Sequence, residues 1–191
     1  MTMLFRAQAY NNAWANHRLG KACLQLSGDD LAKTRESFFG SIIATLNHIL
    51  IVDWFYVSAL EGQCMGPSAF DDEIPCPEIE ALVDQQKQID ARLIRACAAP
   101  DEALGPRIVT MERGHTIQKE RFDRTFLHLI QHQIHHRGQV HGLLSDAGLA
   151  PPQLDEFYLA WEPDRTRRAG ELEELGITEE AIWGDAAGAP G

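Results

Sequence analysis

The sequence has little that would place it in a membrane, outside the cell or on a nucleic acid. No apolar run approaches 18 residues, so no spanning helix is expected. The opening MTMLFRAQAYNNAWANHRL lacks the cationic start and apolar block of a secretory signal, which makes the cytoplasm the expected compartment. Positive charge is scarce: 17 Lys and Arg stand against 28 Asp and Glu, a formal charge of −11. Most of such a surface repels a phosphate backbone, so neither nucleic acid nor membrane is an expected partner. Cys23, Cys64, Cys76 and Cys97 form no Cys-x-x-Cys pair, which excludes the common zinc-ribbon and thioredoxin signatures and leaves reduced thiols. There is no internal repeat and no low-complexity block. With 191 residues, the chain is long enough to bury a full core without disulfides or a structural metal.

What is present is helical periodicity. Apolar residues recur at three- and four-residue spacing from about Ala7 to Leu26, before the turn at Gly28-Asp29-Asp30. A second helix is expected from about Ser37 to Leu60. It is apolar around most of its circumference, hence the most buried element, and Gly62 ends it. Gly66, Pro67, Pro75 and Pro77 mark a loop. A third helix should run from about Glu78 to Ala98 after Pro77, with acidic residues in its first turn. GPRIVTMERGHTI alternates weakly and suggests a short hairpin. A fourth helix is expected from about Lys119 to Asp146, stopping at Gly148. The sum is an all-α four-helix bundle over 1–160 and a tail over 161–191. The tail holds a short helix near Ile177 to Trp183 and a frayed DAAGAPG end.

Histidine is unusually concentrated: five of the eight lie between residues 128 and 141. On a helical wheel of about 100° per residue, His136 lies within roughly 20° of Leu129 and Leu143, and within roughly 40° of Val140 and His132. His132 and His136 therefore share an apolar stripe at i, i+4, the spacing by which one helix offers two imidazoles to one cation. His128 and His135 fall on the polar side, and His17 and His115 have no companions at ligand spacing. In the second helix His48 shares its face with Ala44, Val52, Phe55 and Ala59, so it points into the bundle. Buried imidazoles need hydrogen-bond partners or a metal. Arg137 reads as a surface or loop-anchoring cation. Trp54, Phe55 and Tyr56 read as core or dimer packing, and Asn47, Gln139 and Arg137 as polar neighbours of the histidines.

YNNAWANHRL, TLNHILIVDWFYVSAL, and QHQIHHRGQVHGLL followed by GLAPPQLDEFYL resemble the DinB/YfiT-like proteins over roughly residues 6 to 160. The most specific part is NHILIVDWF paired with HxxHHRGQ. The resemblance implies a bacterial four-helix bundle, often a homodimer, damage-inducible in some members. It also implies a divalent metal held by one helix-two histidine and an HxxxH pair on the last long helix. Those positions here are His48, His132 and His136, the three the wheels select. Better understood relatives use a low-molecular-weight thiol in transfer or isomerisation.

Three histidines leave a fourth position for water or a thiolate, and all-nitrogen ligation admits zinc, nickel or another transition ion. The residue after His132 is Gln133, so the built-in base of H-E-x-x-H is absent. Asp53 lies about 140° from His48 on the wheel, turned away, and Glu120 and Asp123 are too far along the chain. Without a base, thiol activation for attack on an electrophile is favoured. Metal-dependent hydrolysis and a non-enzymatic, stress-response metal-binding role are the alternatives, and no catalytic residue is assigned.

Overall fold

The structure, a computed structural model, describes residues 3–155 and 168–184. The end of GLAPPQLDEFYL and the DAAGAPG terminus lie outside the described residues. The elements are α1 (Leu4–Cys23), α2 (Gly28–Ala32), α3 (Ile42–Leu60), a 3-10 turn (Pro67–Phe70), α4 (Ile79–Ala96) and α5 (Asp101–Leu104). Then come β1 (Ile108–Glu112), β2 (Ile117–Arg121), α6 (Phe122–Asp146), α7 (Ala169–Leu175) and α8 (Glu179–Trp183).

The four long helices α1, α3, α4 and α6 form the expected bundle. α3 packs on α4 and α6, and α1 packs on the same two, so α3 faces α1 across a diagonal. Helices expected second and fourth are thus direct neighbours, a relation that wheels drawn helix by helix do not contain. By length and mean hydropathy (1.5) α3 could cross a bilayer, but 83% of that window is buried inside the bundle. It also carries buried Asn47 and Asp53, each hydrogen-bonded to other helices or loops, as a core helix requires.

Several boundaries differ from the sequence reading. The second long helix begins at Ile42 rather than Ser37, because Gly40 takes a left-handed φ of 76° and Ser41 caps the helix. The Ser41 Oγ accepts the Ala44 N–H at 3.2 Å. Residues 33–41 instead form a loop pinned by Arg35, which bonds Asp146 at 3.0 Å and the Asp30 and Lys33 carbonyls. The last long helix begins at Phe122 because 117–121 pairs antiparallel with 108–112, with Val109 opposite Glu120. It ends at Gly148 (φ 79°), where the Leu149 N–H reaches back to the Leu144 carbonyl.

The tail helix near Ile177 appears as α8, but α7 has no counterpart in the sequence reading. Both lie on α1, burying Leu172 and Ile182 against Ala7, Trp14 and Ala15. Glu171 accepts from the Trp14 indole at 2.7 Å and from Arg18, and Glu174 pairs with His17 and Lys21. Both acidic partners lie more than 150 residues away in sequence, beyond any local periodicity.

Candidate metal centre

Three side chains converge where α3 meets α6. One ring nitrogen from each of His48, His132 and His136 lies within 4.8 Å of the other two, and no Cys, Asp or Glu joins the group among the described residues. His48 and His132 bring their Nε2 atoms to 2.9 Å. At that separation one nitrogen carries a proton toward the other's lone pair, or both lone pairs face a cation. Zinc–imidazole bonds of about 2.0–2.1 Å in tetrahedral geometry place ligand nitrogens about 3.3–3.4 Å apart, within a small side-chain adjustment of this arrangement.

The surroundings favour neutral imidazole, the form that ligates metals. Burial, with the charge of His136, pushes His48 down to about 4. Burial pushes His132 down to about 3, and the neighbouring histidines act in the same direction. His136 is lowered chiefly by burial, opposed by its bond to Gln139. That bond, His136 Nδ1 to Gln139 Oε1 at 2.8 Å, fixes the proton on Nδ1 and leaves the Nε2 lone pair for a ligand. The Gln139 amide nitrogen in turn lies 3.2 Å from His135 Nε2. His132 Nδ1 is buried with no hydrogen-bond partner among the described residues. Phe39 covers the cluster from the 33–41 loop. Its ring stacks on His48 at 4.2 Å and meets His136 edge-on at 5.4 Å. Sequence reasoning missed Phe39 by placing it inside a helix; the Gly40-Ser41 pair was the available signal for a loop.

The remaining sequence candidates fall elsewhere. His128 and His135 are exposed, as expected. Asn47 turns away from the histidines and clasps the Cys76 backbone, donating at 2.9 Å and accepting at 2.8 Å. Phe55 and Tyr56 are core residues, and the Tyr56 hydroxyl accepts from Arg113 at 2.7 Å. Arg137 overturns its expected surface role. It is 4% exposed and its Nη1 donates to Asn12, Asn16 and Gln133. It belongs to a second, fully buried polar cluster. There Asp53 accepts from Gln86 at 2.7 Å and from Gln133, while Asp90 accepts from Asn12, Asn16 and Gln86. Burial and the charge of Asp90 push Asp53 up to about 7, and burial pushes Asp90 up to about 6. Asp53 is thus turned from the histidines, as its wheel position implied.

The family model for the DinB family matches residues 3–169. The chain belongs to the DinB family. Protein DinB of Bacillus subtilis is 22% identical over 156 residues, covering 79% of this chain and 90% of that protein. The Bacillus subtilis protein YizA, described as uncharacterized, is 27% identical over 131 residues, covering 68% of this chain and 79% of its own. The crystal structure of a DinB-like protein from Bacillus cereus superposes with a TM-score of 0.56 at 19% identity, over 73% of this chain and 90% of that one. That likeness supports the DinB-like bundle. Family membership and the three-histidine group together fit a metal-binding DinB-like protein. Helices α7 and α8 lie almost wholly beyond the matched span.

Proposed function

We propose that His48, His132 and His136 hold one divalent transition ion, zinc or nickel, and that the site transfers a low-molecular-weight thiol to an electrophilic small molecule. The observation that carries this reading is the convergence of three desolvated imidazoles from two helices, with no fourth protein ligand in the group. A bound ion of this kind supplies a Lewis-acidic position at which thiolate is favoured over thiol near neutral pH. The chain's own residues prepare that position. Burial keeps the imidazoles unprotonated, Gln139 orients His136, and the Phe39 ring shields one side from water. Gln133, where a zinc hydrolase of the H-E-x-x-H type carries its base, is turned into the Asp53 cluster instead. That no carboxylate joins the histidine group among the described residues supports thiol chemistry over water activation.

A homodimer is part of this reading. Leu127 and Ile134 stand one heptad apart on α6, each more than half exposed (56% and 57%), which suits a self-contact readable by sedimentation.

The test begins with metal content by mass spectrometry on untagged protein. About one ion per chain in the wild type, lost in both His48→Ala and His136→Ala, is expected. Metal-dependent consumption of thiol with an electrophile should follow. Turnover of simple esters without thiol would replace the transferase reading with a hydrolase. No ion after dialysis against zinc and nickel overturns both.

A further inference from the structure

Away from the histidines, α1, α3 and α4 line a partly open cavity of about 140 Å³. Leu19, Leu46, Ile49, Leu82 and Val83 supply apolar wall, and Leu175 and Ile177 of the C-terminal segment extend it. Asn16, Gln86 and Asp90 are its buried polar lining. It shares no residue with the histidine cluster. Its volume is close to that of the apolar cavity of about 150 Å³ known to hold benzene.

The polar side of this cavity is under-satisfied. Asp90 Oδ1 accepts from Asn12, Asn16 and Gln86 at 2.9–3.3 Å, whereas among the described residues Oδ2 accepts from Asn16 alone, at 3.2 Å. A carboxylate oxygen has room for two donors. The buried cluster around it holds two carboxylates, Asp53 and Asp90, and one guanidinium, Arg137, whose Nη1 donates to amide oxygens. Burial pushes Asp53 up to about 7 and Asp90 up to about 6, so the surplus negative charge is present above that range. There a buried anionic group without a matching cation is costly, and a ligand bearing positive charge relieves the cost. Lys87 also lines the cavity but is exposed, where water screens its charge, and His17 is held by Glu174 at 2.9 Å.

We propose that this cavity binds a small primary amine with a benzene-sized apolar body, its ammonium donating to Asp90 and its body lying against the leucine and isoleucine wall. Two independent features select the two halves of the ligand: cavity volume selects the body, and the charge surplus with the open Oδ2 position selects the head. The C-terminal segment thereby gains a role, because Leu175 and Ile177 extend a wall that the family-matched span leaves open.

Calorimetric titration of the full chain with benzylamine and with benzyl alcohol, its neutral counterpart, tests this. Saturable one-to-one binding of benzylamine, at least about tenfold tighter than benzyl alcohol, is expected. The preference should vanish in Asp90→Asn, and Ala91→Phe, which fills the cavity from α4, should lose both ligands. Binding should persist in His48→Ala, which separates the cavity from an amine seated on a histidine-bound metal. No saturable binding, an unchanged preference in Asp90→Asn, or loss in His48→Ala overturns the proposal. Should Asp90→Asn fail to fold by circular dichroism, undiminished binding in Ala91→Phe overturns it alone.

Discussion

Helix α6 carries two polar surfaces a single residue apart, and they have opposite characters. His132 and His136 look toward His48, half-buried, with a ring nitrogen at His132 that has no partner among the described residues. Gln133 and Arg137, about 100° further round the helix, look into a buried cluster where each is hydrogen-bonded. The same two-faced arrangement recurs on α3 with His48 and Asp53. The Arg137 cluster fixes how four helices pack and keeps one open acceptor position, at Asp90 Oδ2 beside the α1–α3–α4 cavity; the histidine cluster is left short of partners at a ring nitrogen, where an ion can enter. A buried polar network that satisfies its members rigidifies a core, whereas one that does not is completed from outside.

The largest effect expected from breaking this contrast is at Arg137. Arg137→Met removes the one cation from a cluster holding two carboxylates, and should cost about 3–5 kcal/mol in urea unfolding. In the metal-free protein His132→Phe should cost far less, because only the contact of its Nε2 with His48 is lost and no charge is left unpaired; equal losses would end the distinction. Next comes metal. Zinc at about a hundred times its dissociation constant should raise wild-type stability by about 2.7 kcal/mol, an increment abolished in His132→Phe. Chelation should return the wild type to its metal-free value. Smaller again is Gln139→Ala, which frees the His136 ring without removing a ligand. Metal affinity by competitive chelator titration should weaken about tenfold, with thermal stability of the metal-free protein little changed.

The contrast was half legible in the sequence. Period and residue type alone marked His48, His132 and His136, because a histidine inside an apolar stripe is conspicuous against Leu, Val and Phe. The bundle, the hairpin and the ends at Gly62 and Gly148 were legible for the same reason: apolar period and glycine are local signals. Arg137 was not, since a single helix wheel cannot show Asn12 and Asn16 of α1 waiting opposite it. The 33–41 loop hid because Phe38 and Phe39 extend an apolar pattern into residues that Gly40 and Ser41 exclude from the helix. The docking of α7 and α8 rests on Leu172 and Ile182 packing against α1, with ion pairs from Glu171 and Glu174 of α7 to residues more than 150 positions away, which no window of sequence contains.

Acidification supplies the finest comparison, because the two clusters respond to it with opposite sign. His48 and His132 ordinarily titrate near 6.5 and in the fold are held down at about 4 and about 3. Between those values the unfolded chain binds more protons than the folded one, so lowering the pH from about 6.5 destabilises the metal-free protein. Asp53 and Asp90 start near 3.8 and are pushed up to about 7 and about 6. In that window the folded chain binds more protons than the unfolded one, so lowering the pH stabilises it. The wild type therefore shows a shallow dependence between pH 4 and 6.5 in which two slopes partly cancel. Urea midpoints across that range should separate them. Asp53→Asn removes the carboxylate contribution and should steepen the loss on acidification, while His132→Phe removes a histidine contribution and should flatten or reverse it. Parallel shifts in both variants would mean that the two faces of α6 act as one electrostatic unit, not two.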